Sequence, residues 1–221
     1  GQQTCFIYKD TAANPWKKIS WVDAEERVRR LSLGLDALGL KPGETVGLIS
    51  QTRLEWTLLD LAVMACRGVT VPIYPTLSPE QTAYIIKDAK LSALILEDKV
   101  QAERLKEILD TFNKPLIFIY SIDDILKNGK ERPVNLYDEN LRRIAPQDTA
   151  TIVYTSGTTG PPKGAVLTHR NLLAEVEGLQ QVFPFGPDTI GLTCLPLAHV
   201  IARAMQFFAL AQGCQTAFAE S

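Results

Sequence analysis

Several features that would settle a function at once are scarce in this 221-residue sequence. It has no excess of positive charge: 23 Lys and Arg stand against 25 Asp and Glu, a formal net charge of −2. Gripping a phosphodiester backbone takes a basic surface, so a general nucleic-acid binder is excluded. The four cysteines, Cys5, Cys66, Cys194 and Cys214, form no C-x-x-C pair. None stands at zinc spacing to His169 or His199. Cys66 and Cys194 lie in apolar stretches, and the set reads as buried free thiols of a reducing compartment. The longest apolar run, residues 200–211, is too short to span a bilayer and is broken by Arg203 and Gln206. The opening residues are polar, unlike a secretory leader. These absences predict a soluble, cytoplasmic protein and leave peripheral contact with a membrane open. Internal repeats and low-complexity tracts are absent as well.

What the sequence does contain is alternation. Residues 23–39 carry Val28, Leu31, Leu35 and Leu38 at helical spacing. Asp23 suits the cap of that helix, Glu26 the capping-box position and Gly39 the stop. A turn at Lys41-Pro42-Gly43 leads to a short apolar strand, residues 45–49. The pattern repeats with a helix at 54–66 and a strand at 69–73. Ser78, Pro79 and Gln81 then form a capping signature for a helix running to about residue 88. A strand at 93–96, a helix at 100–109 and a strand at 116–120 follow. Strand and helix in turn imply parallel βαβ units with right-handed crossovers. The strands are unbroken apolar runs, the mark of a sheet covered by helices on both faces. The predicted class is α/β, parallel sheets flanked by helices. No G-x-G-x-x-G follows the first of these strands, which argues against dinucleotide binding of the Rossmann type.

Residues 121–148 are polar and charged, with Leu126 and Leu136 among few anchors; a short helix and a connecting loop are expected. This closes a first α/β portion, residues 1–148. A second portion, 149–221, opens with a strand at 151–154 and continues with strands at 165–167, 190–195 and 214–218 and helices at 171–181 and 200–212. The last strand is left without a neighbour, and a bare parallel edge is a liability. The expectation is that this chain is the opening part of a longer protein.

The segment 154–164, Tyr-Thr-Ser-Gly-Thr-Thr-Gly-Pro-Pro-Lys-Gly, is the most informative stretch. It follows an apolar strand and carries four hydroxyls, on Thr155, Ser156, Thr158 and Thr159. Gly157, Gly160 and Gly164 allow sharp turns and close approach of backbone N–H groups to an anion. Lys163 adds one compact positive charge. Each charge-assisted bond to a phosphate oxygen contributes roughly 1.5–3 kcal/mol. A Walker A loop needs Gly-Lys followed by Ser or Thr, whereas Lys163 lies between Pro162 and Gly164. Pro161-Pro162 also disfavours an immediate helix. The pattern predicts a loop that closes over a polyphosphate.

That segment closely resembles the signature loop of adenylate-forming enzymes, which include acyl-CoA synthetases, luciferases and peptide-synthetase adenylation domains. The resemblance extends over nearly the whole chain. Arg53-Leu-Glu-Trp56 with Asp60, Val71-Pro-Ile-Tyr-Pro-Thr76, Ser78-Pro-Glu-Gln81 with Tyr84, and Leu195-Pro-Leu-Ala-His-Val200 are similar to the long-chain acyl-CoA synthetase branch.

The resemblance implies a reaction in which ATP and a fatty acid give an acyl-adenylate, whose acyl group passes to coenzyme A. It implies that Thr155, Ser156, Gly157, Thr158, Thr159, Gly160 and Lys163 hold the β- and γ-phosphates, with Thr155 near Mg²⁺. His199, in the Pro-Leu-x-His segment, is expected beside the α-phosphate; with Lys163 it is the candidate catalytic residue. His169, in Thr168-His-Arg-Asn171, is expected to set the start of a helix. Val200, Met205, Phe207 and Phe208 form a stripe that suits core packing and, alternatively, an acyl tunnel. The family's Tyr-Gly-x-Thr-Glu segment, its adenine- and ribose-binding segments and its small C-terminal domain have no counterpart here. Residues 1–221 alone are therefore expected to be nearly inactive. Two alternatives stay open: an aryl-, short-chain acyl- or aminoacyl-activating relative, and a non-catalytic nucleotide-binding module.

Overall fold

In the computed structural model, residues 3–9, 13–114, 116–118, 122–155 and 161–219 are described. Their strands form two sheets.

The larger sheet is built as the apolar runs predict. Strands β3 (Thr45–Ile49), β4 (Val69–Ile73) and β5 (Ala93–Leu96) lie parallel, with β3 central. Their side chains alternate between two buried clusters. Val46, Leu48, Ala93 and Ile95 join one, while Ile49, Val71, Ile73, Leu94 and Leu96 join the other. That is why both residue parities are apolar. Strand β6 (Leu116–Phe118) flanks β5 on one side. On the other, β7 (Thr149–Thr155) pairs parallel to β4 and antiparallel to β8 (Lys163–Thr168). The order is β6-β5-β3-β4-β7-β8.

The second sheet has the order β2-β1-β10-β9. Strands β1 (Thr4–Tyr8) and β2 (Lys17–Ser20), which the sequence reading missed, form an antiparallel pair at its edge. Strand β1 then pairs parallel with β10 (Gln215–Phe218), which pairs parallel with β9 (Ile190–Thr193). This overturns the expectation that the last strand lacks a neighbour: β10 is internal, covered by β1. It also means that the predicted boundary between 148 and 149 is not a boundary between sheets. Strands β7 and β8 complete the larger sheet, and β9 and β10 join β1 and β2.

Helices fill the space around the sheets. Helix α1 (Trp21–Ala37) starts two residues before the expected position. Its cap is Ser20, whose Oγ accepts from the Asp23 N–H, so Asp23 sits inside the first turn rather than at the cap. Helix α2 (Leu54–Ala65) is hydrophobic nearly all round and lies between the sheets, with Trp56, Leu58 and Leu59 essentially sealed from solvent. Each such side chain contributes about 1.5–3 kcal/mol. Helix α3 (Pro79–Asp88) carries the capping box read from sequence, with Ser78 and Gln81 bonded reciprocally. The helix predicted at 100–109 is two pieces, α4 (Lys99–Arg104) and α5 (Lys106–Leu109), broken at Leu105, which turns into the core. Residues 121–148 hold two helices rather than one, α6 (Ile122–Lys130) and α7 (Asn135–Arg143). Helix α7 buries only Tyr137 and Asn140, too weak a stripe to show in sequence. Helices α8 (His169–Val182) and α9 (Val200–Ala211) complete the set. Among the described residues no helix is long and apolar enough to cross a membrane.

Candidate functional site

The strands that flank the Gly/Thr-rich segment form an antiparallel pair. Strand β7 runs out to Thr155, and β8 returns from Lys163 with the two residues directly paired. Cross-strand partners project to the same face. One hydroxyl and one ammonium therefore share a face at the ends of the two strands, and both residues are exposed. Ser156, Gly157, Thr158, Thr159 and Gly160 lie outside the described residues.

Gly164 has a packing reason to be glycine. It lies within β8, opposite Tyr154. A Cβ placed there would come within 2.9 Å of Ile152 Cγ2 and 3.0 Å of Tyr154 Cζ. The tyrosine ring thus covers the glycine across the strand pair, a packing device known to rescue edge glycines. The phenol donates to Asp88 Oδ2 at 2.6 Å, tying β7 to the end of α3. Burial, and then that carboxylate, raise the Tyr154 pKa, so the phenol stays protonated.

Strands β3, β4 and β7 are mutually parallel, so Thr52, Tyr74 and Thr155 all follow the carboxyl edge of the larger sheet. Ligands of open α/β sheets bind outside that edge. Thr52 draws the segment after β9 to the same place. Its hydroxyl donates to the Leu195 carbonyl at 2.9 Å and accepts from Leu197 N–H at 3.1 Å. This fixes the turn that ends at His199, which caps α9. His199 Nδ1 accepts from the Ile201 N–H at 3.2 Å. A neutral imidazole accepting at Nδ1 carries its proton on Nε2, leaving that nitrogen as a donor. The side chain is exposed.

His169 is the first residue of α8, behind a capping box formed by Thr168 and Asn171. Its backbone N–H donates to the Asp148 carbonyl at 3.1 Å. Burial lowers its pKa, partly offset by Asp148. It faces the amino-terminal ends of the strands, in a groove with Thr45, Val69 and Thr149, away from Thr155 and Lys163.

The four residues of the predicted stripe on α9 do not act together. Phe208 is core, while Val200 and Met205 are exposed. Met205 and Phe208 line an apolar groove of about 290 Å³ with Leu192 and Leu195. Phe207 instead faces a separate groove of about 580 Å³ with Trp21, Val28 and Leu173. Arg203 and Gln206, read as interruptions of an apolar run, are among the most buried residues of the helix. Cys194 is exposed, which corrects the reading of four buried thiols. Its neighbours in the open groove beside β9 do not cover it.

Three comparisons bear on this arrangement. All 221 residues match the AMP-binding enzyme family. The chain belongs to the AMP-binding enzyme family. Similar proteins include the long-chain-fatty-acid–CoA ligase FadD15 of Mycobacterium bovis, 34% identical over 92% of this chain and 35% of that protein. Long-chain-fatty-acid–CoA ligase 5 of Rattus norvegicus is 31% identical over 87% of this chain and 32% of its own length. Among solved structures, ATP-bound MatB from Rhodopseudomonas palustris superposes with a TM-score of 0.84 at 25% identity, over 99% of this chain and 42% of that one. The chain thus spans about a third of the length of these curated relatives.

Within this AMP-binding domain the donor set suits a polyphosphate better than a bare metal ion. Among the described residues no three His, Cys, Asp or Glu side chains gather to hold a cation. Mg²⁺ retains waters and takes much of its coordination from substrate phosphates, so one protein hydroxyl at Thr155 is compatible with it.

Proposed function

We propose that this AMP-binding chain takes part in ATP-dependent activation of a long-chain fatty acid to an acyl-adenylate and then to an acyl-CoA. The observation that carries the reading is the Thr155–Lys163 pair, which brings the two flanks of the hydroxyl-rich segment together at the carboxyl edge of the sheet. The names of the curated relatives supply the substrate class.

In this reading Lys163, Thr155 and the loop residues Ser156, Gly157, Thr158, Thr159 and Gly160 hold the β- and γ-phosphates of ATP. Lys163 offsets charge that builds on the pyrophosphate as it departs. Thr155 shares in Mg²⁺, which neutralises phosphate oxygens when bound. His199, with its proton on Nε2, donates toward the α-phosphate where the fatty-acid carboxylate attacks. Catalysis then rests on positioning and electrostatic stabilisation rather than on a covalent enzyme intermediate. Coenzyme A takes the acyl group in the second step, and none of the described residues is assigned to it.

Fatty-acid-dependent exchange of labelled pyrophosphate into ATP tests the first step in the intact gene product. Lys163→Ala and His199→Ala are each expected to lower kcat/KM by roughly 10²–10³-fold, the usual effect of losing one stabilising donor. Exchange at wild-type rates in Lys163→Ala would remove the basis of the reading. A panel of palmitate, acetate and benzoate distinguishes a long-chain ligase from a short-chain or aryl relative. Residues 1–221 expressed alone are expected to show almost no exchange, because the Tyr-Gly-x-Thr-Glu segment is not among them.

A further inference from the structure

Among the described residues, the buried Arg203 side chain is the most heavily bonded. It lies on α9 with 2% of its side chain exposed, facing Asp60 of α2, which is fully buried. The contact is bidentate: Nη2 donates to Asp60 Oδ1 at 2.8 Å and Nε to Oδ2 at 3.2 Å. Nη1 donates to Thr151 Oγ1 at 2.7 Å. The Thr151 hydroxyl in turn donates a hydrogen bond to the Thr70 carbonyl at 2.6 Å, across the β4–β7 pairing. Trp56 and Phe207 offer their rings to the guanidinium, with centroids 5.7 and 5.4 Å from Cζ.

A buried ion pair is weak evidence for stability, since hydrophobic residues of equal volume often do as well. What it supplies here is a connection. Thr151 and Thr155 are four residues apart on β7, so they share a face of the strand. Arg203 is one helical turn after His199, and its N–H donates to the His199 carbonyl at 3.2 Å. One guanidinium therefore joins the strand that presents Thr155 to the helix that presents His199.

We propose that Arg203, oriented by Asp60, is a positioning residue that sets the placement of the paired Thr155 and Lys163 relative to His199. Arg203 touches no substrate. It acts by fixing β7 through the Thr151 hydroxyl and α9 through its own backbone. The inference rests on the reading of that pair as part of the ATP phosphate site. The planar fork matters: lysine has one point charge and cannot serve Asp60 and Thr151 in the same way.

The test uses the intact gene product with three variants, Thr151→Val, Thr151→Ser and the pair Asp60→Leu with Arg203→Met. Thr151→Val removes the bridging hydroxyl at nearly constant volume, and Thr151→Ser restores it. The paired variant replaces the ion pair with apolar volume. Thermal unfolding reports the fold; pyrophosphate exchange gives KM for ATP and kcat separately. Thr151→Val is expected to lower kcat about 10-fold or more, as small misplacements of reacting groups do. Thr151→Ser is expected to recover most of that loss. The paired variant is expected to behave like Thr151→Val in kcat, even where its melting temperature equals that of the wild type. Wild-type kcat in a folded Thr151→Val protein overturns the proposal, as does a Thr151→Ser variant no better than Thr151→Val. If the wild type shows no ATP-dependent exchange, or Lys163→Ala leaves it intact, the failure lies in the phosphate-site reading instead.

Discussion

Replacing Gly164 with alanine separates two explanations of a loop glycine. The added Cβ would sit 2.9 Å from Ile152 Cγ2, closer than Cβ atoms are found, and 3.0 Å from Tyr154 Cζ, so that both neighbours must give way. The ring cannot swing away freely, because its hydroxyl is bonded to Asp88. Overpacking of this kind costs roughly 1–3 kcal/mol. Against it stands the intrinsic gain of alanine over glycine in a strand, about 0.5–1 kcal/mol. Crowding wins, with a net loss of about 1 kcal/mol and a melting temperature lower by roughly 2–4 °C for a chain of this size. The assay is a double-mutant cycle followed by denaturant unfolding, with Gly164→Ala made in the wild type and in Tyr154→Ala. Removing the ring should relieve the crowding, leaving Ile152 as the remaining neighbour. The cost is then expected to shrink by at least about 0.5 kcal/mol. An equal loss in both backgrounds would refute the packing argument and return Gly164 to the role of letting the backbone approach an anion.

Asp60→Ala alone is expected to be severe, unlike the paired apolar replacement, because it strands the Arg203 charge in the core. A loss of about 3–5 kcal/mol is the usual scale, read by urea unfolding. Native-state alkylation with a maleimide at neutral pH should mark Cys194 first, since it alone of the four thiols is exposed. Cys5 and Cys66 should resist until the protein unfolds, as burial pushes both thiols up to about 12. Burial holds His169 below its ordinary value of 6.5, so the folded state resists its protonation. Its neutral form therefore contributes stability that is complete above pH 6.5 and declines as pH falls from there toward the lower folded value. His169→Gln should flatten that part of the stability–pH curve; an unchanged slope would assign it to other groups.

Elements whose signals are local were legible in the sequence. Strands β3, β4 and β5 and helix α3 begin and end at the predicted residues. Apolar runs mark the strands, and Ser78, Pro79 and Gln81 mark the helix start within four residues. Elements that depend on distant partners were not legible. Strand β1 is stabilised by pairing Phe6 with Thr216, far along the chain, and nothing near residue 6 announces it. Ser20 and Asp23 are both good caps, and only the end of β2 at Ser20 decides between them. Thr155 and Lys163 drew attention by residue type and His199 by resemblance, but nothing local announced that the first two pair directly across β7 and β8. Arg203 was hidden for a physical reason. A charge in an apolar run looks like an interruption until Asp60, 143 positions away, is brought against it. Thr52 was hidden likewise, since its hydroxyl acts on a segment more than 140 positions downstream.

The interleaving of the two sheets bears on how this domain can be recombined. A crossover between residues 148 and 149 would detach β4 from β7 and β1 from β10. It would also leave Asp60 on one parent and Arg203 on the other. Chimeras joined there should express only when both parents carry the same charge pair and matching strand registers. Expressed as separate pieces, each would bare a strand edge that the other normally occupies. The safer exchange points are exposed turns that no cross-sheet pairing spans.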